Sequence, residues 1–144
     1  MMQFKIHFDQ EVNPGLYRDY CEFLFDRVED SVRELINPLK YHVREKVVIK
    51  SPVIRWIKVP DSVNLTQYVE NCLEMVRDRG EYLIRVREDQ RIRGSRTKVK
   101  TLIRLLEYGN DKIPAYPVIR VVLSYYSQIY QNLLVEFIRE RMLQ

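Results

Sequence analysis

The apolar positions change period several times along the chain, and each change marks an element. Phe4, Ile6 and Phe8 alternate with Lys5 and His7, which predicts a short strand or an extended arm within residues 1–14. Asn13-Pro14-Gly15 interrupts that alternation. Between Leu16 and Ile36, Tyr20, Phe23, Leu24, Val28, Val32 and Leu35 recur at helical spacing, and Glu29 with Arg33 forms an i,i+4 pair in the favourable order. Asn37-Pro38 is expected to end this helix. Residues 41–59 are rich in β-branched and aromatic side chains, including Tyr41, Val43, Val47, Val48, Ile49, Val53, Ile54, Trp56 and Ile57. They predict strands with a bend at Ser51-Pro52.

Residues 64–79 carry Leu65, Tyr68, Val69, Cys72, Leu73 and Val76, which predicts a second helix capped by Gly80. Tyr82, Ile84 and Val86 alternate with Leu83, Arg85 and Arg87, as in a strand over Glu81–Glu88. Gln90 to Arg96 is a basic loop with Gly94-Ser95 at its tip, expected to be flexible because like charges repel and apolar anchors are few. Thr97 is a candidate N-cap for a short helix reaching Tyr108. The longest periodic segment follows, from Pro117 to about Met142, with Ile119, Val122, Tyr126, Ile129, Leu133 and Phe137 at spacings of three and four. The expected class is α+β: one domain over residues 1–144, with a small, mostly antiparallel sheet packed with helices and a long C-terminal helix.

Charge changes the picture locally. The chain carries a net +4, yet residues 84–104 hold eight basic side chains against Glu88 and Asp89, so the remainder is slightly acidic. Arg91, Arg93, Arg96, Lys98 and Lys100 are the candidates for a contact with DNA phosphates or with an acidic neighbouring subunit. An exposed solubilising face is the other reading. The aromatic signature of an RNA-binding domain does not accompany them. Cys21 and Cys72 fall in predicted helices without a neighbouring Cys or a His at ligand spacing, so they are expected to be free thiols in a reducing cytoplasm. No signal peptide opens the chain, and no run approaches the ~18 apolar residues of a membrane span. Walker, Rossmann and nucleophile-elbow motifs are absent, and His7 and His42 have no context marking them as bases. The acidic pairs lack metal-ligand grouping. Neither an enzyme nor a bound cofactor or metal is expected.

The segment Leu106–Arg120 concentrates the remaining information. Gly109 suits the C′ position of a helix, Asn110-Asp111 supplies turn chemistry, and Pro117 suits a first helical residue. Glu107 stands at a helix C-terminus, where a negative charge is mildly unfavourable, so a cation such as Arg104, Lys112 or Arg120 is expected beside it. An intramolecular pair with Arg120 would brace the joint, and a pair across a subunit boundary is the alternative.

This pattern (apolar–Glu–aromatic–Gly–polar, a short loop, Pro-x-x-Pro, then apolar–apolar–Arg) resembles the neck or tail-completion proteins of tailed bacteriophages, also called minor capsid or head–tail joining proteins. Here it comprises Leu106, Glu107, Tyr108, Gly109, Pro114, Pro117, Val118, Ile119 and Arg120. In that family the pattern lies between a sheet-and-helix core and a C-terminal helix. An earlier Thr-Gly-x-Leu-x-x-Ser type motif common in the family has no clear equivalent in Asp61–Thr66.

The resemblance implies a non-enzymatic virion protein made in the host cytoplasm. It would assemble as a homo-oligomeric ring between head and tail, beside other connector or tail proteins, with packaged DNA in its channel. Tyr125, Tyr126, Tyr130, Leu134 and Ile138 widen the apolar stripe of the last helix beyond a simple core face and are the candidate oligomer interface, a helix buried centrally in its own domain being the other reading. The alternative function, resting on the basic segment, is a small nucleic-acid-binding module.

Overall fold

Among the described residues, three short strands form one antiparallel sheet in the order Gln3–Ile6, Glu81–Val86, Leu73–Asp78, backed by helices. The computed structural model describes residues 2–8, 13–44, 65–92, 96, 98–109, 111 and 115–143, with side chains up to 36 in the second of these stretches and from 67 in the third. Strand β1 spans Gln3–Ile6, β2 Leu73–Asp78 and β3 Glu81–Val86. The helices are α1 (Pro14–Arg44), α2 (Leu65–Glu70), α3 (Val99–Tyr108) and α4 (Ile119–Met142). The class is α+β, as the pattern of the chain predicts.

Register follows the side-chain pattern. Phe4 lies opposite Ile84, Ile6 opposite Tyr82, Leu73 opposite Val86 and Met75 opposite Ile84, so these apolar residues share the face that meets the helices. The other face carries Lys5, Asp78, Glu74 and Arg85, joined as the pairs Lys5–Asp78 and Arg85–Glu74. Leu83 is nevertheless buried on that face, between its cross-strand partners Lys5 and Val76.

Two expectations along the chain are corrected. The apolar run from Leu65 is not one helix: α2 ends at Glu70, and β2 begins at Leu73. The Asn71 side chain donates back to the Gln67 carbonyl, 3.0 Å away, and satisfies a helix-end acceptor. Gly80 is consequently not a helix cap. Arg79 and Gly80 both have positive φ, 53° and 83°, which is the signature of a two-residue type I′ hairpin turn between Asp78 and Glu81.

The first helix runs on past Asn37-Pro38 to Arg44, so residues 41–44 are helical rather than extended. Proline removes one helical hydrogen bond and is tolerated where the rest of the helix holds its course. The strands expected over 45–59, including the bend at Ser51-Pro52, lie outside the described residues.

The core is one continuous cluster. Tyr20, Cys21, Leu24, Val28, Val32 and Ile36 of α1 meet Ile119, Val122, Leu123 and Tyr126 of α4, with Leu102 and Ile103 of α3 and Phe4, Ile6 and Ile84 of the sheet. Contacts between α1 and α4 run in opposite order along the two helices, which makes them antiparallel. The Tyr116 hydroxyl donates to the Leu35 carbonyl, the Tyr126 hydroxyl meets Ser31 Oγ at 2.9 Å, and Arg141 pairs with Asp19 at 2.7 Å.

Tyrosine hydroxyls stitch the N-terminal strand into this frame. The Tyr17 hydroxyl donates to the Ile6 carbonyl and accepts from the Tyr82 N–H, bridging β1 and β3 where their ladder ends. The Tyr20 hydroxyl donates to the Tyr130 carbonyl, and the Tyr130 hydroxyl donates to the His7 carbonyl at 3.0 Å.

Candidate functional site

The joint between α3 and α4 is built around one buried carboxylate. Val99, Leu102 and Ile103 form the inward stripe of α3, and Glu107 continues it in register, one turn beyond Ile103. Its side chain therefore enters the core, and the residue is 1 % exposed. A buried charge requires partners, and Glu107 has them. Oε1 accepts the backbone N–H groups of Val118 at 2.8 Å and Ile119 at 2.5 Å, and Oε2 accepts the N–H of Arg120 at 3.1 Å. Those are the N–H groups of the N-cap residue Val118 and of the first two residues of α4, which has no capping bond from the Val118 side chain. One side chain from the end of α3 thus caps α4, and its charge lies where the α4 dipole is positive.

The reverse exchange completes the joint. Arg120, in the first turn of α4, sends Nε to Glu107 Oε2 at 3.3 Å and Nη2 to the Glu107 carbonyl at 2.5 Å. Its guanidinium also lies over the Tyr108 ring, 4.1 Å from the centroid. A cation therefore meets the carbonyl end of α3. Two more terminal carbonyls of α3 are satisfied nearby: Gly109 N–H donates to Leu105 at 2.8 Å, and Tyr116 N–H donates to Leu106 at 2.6 Å. Gly109 adopts φ 64° and ψ −166°, a region only glycine enters without strain.

The expected Glu107–Arg120 pair is thus intramolecular. One detail of the joint differs from expectation. Helix α4 starts at Ile119, so Pro117 precedes the N-cap rather than opening the first turn. Pro114 and Lys112 lie outside the described residues. The capping role of Glu107 is the part that sequence reasoning missed. The signal was present, since helical periodicity sets Glu107 four residues after Ile103 and eight after Val99, on the apolar side.

The basic segment is more ordered at its base than its charge suggests. Arg91 and Lys98 form an antiparallel bridge, Val99 N–H donates to the Gln90 carbonyl at 2.8 Å, and Ile92 is fully buried as an anchor. Arg91, Arg96 and Lys98 are exposed, and Lys100 is half-buried on α3. Arg93, Gly94, Ser95 and Thr97 lie outside the described residues. The N-cap position of α3 is Lys98, whose side chain makes no capping bond.

The candidate interface on α4 divides. Tyr126 belongs to the core at 8 % exposure, Tyr130 is half-buried against Phe4 and Phe8, and Leu134 and Ile138 are half-buried. Tyr125 stands out at 56 % exposure.

Cys21 and Cys72 are buried free thiols. Burial pushes each up to about 12, and for Cys72 the nearby Glu107 carboxylate adds to the effect. Among the described residues, no group of three or more His, Cys, Asp or Glu side chains is placed to hold a metal ion, and no helix is long and apolar enough to cross a membrane. No family model, curated protein or solved structure matches the chain.

Proposed function

We propose that the chain is a non-enzymatic structural subunit of a tailed-phage neck, assembling as a ring between head and tail beside other connector or tail proteins. The observation that carries this reading is the α3–α4 joint. The resemblance rests on a Glu, a Gly and an Arg at set places in the chain, and in this molecule each has a distinct mechanical task. Glu107 caps α4, Gly109 makes the turn that only glycine tolerates, and Arg120 closes the carbonyl end of α3. A joint of this kind fixes the angle between the core and the last helix, which a subunit needs in order to repeat around a ring. The outer face of α4, with Tyr125 at its centre, is the surface that a neighbouring copy would cover.

Size-exclusion chromatography with light scattering, run at low and high salt, tests the proposal. A discrete ring-sized oligomer that persists at high salt, where no nucleic acid is bound, is expected. A monomer that carries nucleic acid at low salt and sheds it at high salt would instead favour the nucleic-acid-binding module.

A further inference from the structure

Helix α3 lies beside the end of the sheet where β1 begins and β3 finishes, and a cavity of about 310 Å³ opens between them. Met2 and Val86 give it apolar walls, Gln3 contributes from β1, and Arg85, Glu88, Lys100 and Arg104 supply the charge. Lys100 and Arg104 are one turn apart, on the same face of α3. Neither has an ion-pair partner among the described residues. Arg85 sits on the central strand, its Nε held by Glu74 Oε1 at 3.0 Å, which fixes the guanidinium and leaves its terminal amino groups to donate elsewhere. Three cations on two rigid elements therefore converge on one space, offset by the Glu88 carboxylate in the lining and by Glu74, which is paired with Arg85. Such a lining selects an oxyanion, and a fixed arginine with two neighbouring cations suits phosphate.

The surroundings indicate the source of that phosphate. The same segment continues into exposed Arg87, Arg91, Arg96 and Lys98, and Arg91 is bridged to Lys98 despite their like charge. A single carboxylate on a neighbouring protein would leave those cations unmatched, whereas a chain of phosphates would meet them in succession. We propose that this cavity seats a backbone phosphate of nucleic acid, with Arg85, Lys100 and Arg104 as its ligands. The inference goes beyond the connector reading and does not require it. It also moves the electrostatic centre from the loop tip to the sheet end.

The test is fluorescence anisotropy of a labelled random-sequence DNA duplex against the full chain at low salt, with each variant's folding checked by its thermal melt. Removing an exposed charge contact changes binding by about twofold to fivefold. The double substitution Lys100→Gln with Arg104→Gln should weaken binding about tenfold or more and lower the salt dependence by about two charges. Glu88→Gln should tighten binding by about twofold to fivefold, a gain that damage to the fold cannot mimic.

Unchanged affinity in the double variant would overturn the proposal, as would weaker binding in Glu88→Gln. Calorimetry with inorganic phosphate separates the sources. Phosphate that competes with DNA for wild type supports a backbone-phosphate site, whereas phosphate binding without any DNA binding overturns the nucleic-acid assignment. Assembly is read separately by light scattering, so a ring that ignores DNA and a monomer that binds it are distinct outcomes.

Discussion

At the scale of single residues, Glu107 carries more of the structure than any other polar group among the described residues. It is buried, it satisfies three backbone N–H groups, and it pairs with Arg120. Removing one partner of a buried pair costs about 3–5 kcal/mol, because the groups left behind lose both water and partner. Glu107→Ala should destabilise by that amount. Glu107→Gln should cost about 2–3 kcal/mol, since its amide turns an N–H group toward other donors. Arg120→Ala should cost less, about 1–2 kcal/mol, because the Glu107 carboxylate left behind keeps its three backbone N–H donors. Urea denaturation checks the order through the midpoint, with the slope unchanged.

The two thiols give a second residue-scale expectation. With both pushed up to about 12, Cys21 and Cys72 should resist a thiol reagent at neutral pH and react fully once urea unfolds the chain. Their folded-state values lie above a thiol's ordinary value of 9.0, so the unfolded chain releases these protons first as pH rises. The stability they contribute is complete below about pH 9 and falls away toward about pH 12, which denaturation midpoints across that range would record.

At the scale of elements, the β2–β3 hairpin shows how local chemistry and tertiary structure divide the work. Its turn demands positive φ at both central residues, and Gly80 accepts this freely while Arg79 is held at 53°. Arg79→Asn should therefore stabilise by about 0.5–1 kcal/mol, and Gly80→Ala should destabilise by about 1 kcal/mol or more. The contrast is visible as opposite shifts in melting temperature. The same hairpin marks the limit of pattern reading. Leu73, Met75 and Val76 suit a helix face and a strand equally well over so few residues, and only pairing with β3 decides between them. Strands β1 and β3, and helices α3 and α4, were legible because each keeps one period for its whole length. Pro38 misled because a long helix can absorb one missing hydrogen bond. In the joint, the Glu107–Arg120 pair was legible from charge. The capping was not, because it links residues eleven to thirteen apart through a turn whose path depends on packing.

At the scale of the whole molecule, α4 has two faces of different character. Ile119, Val122, Leu123 and Tyr126 close the core against α1 and α3. Val121, Tyr125, Val135 and Met142 are exposed, and together with Gln128, Asn132 and Arg139 they follow one another at alternating steps of four and three. That spacing keeps a single line along a helix, as in a seam between helices. In the proposed ring, packing α4 against a neighbouring copy would bury it. The two faces can be tested apart. Tyr126→Ala removes a core ring and its hydroxyl contact with Ser31, so it should destabilise the subunit by about 3–5 kcal/mol. Tyr125→Glu changes an exposed position, so it should leave the subunit's denaturation midpoint within about 0.5 kcal/mol of the wild type. It should also place a charge in the seam and convert a ring-sized species into monomer on light scattering. A ring that survives Tyr125→Glu combined with Val135→Glu would place the contact between copies elsewhere on the molecule.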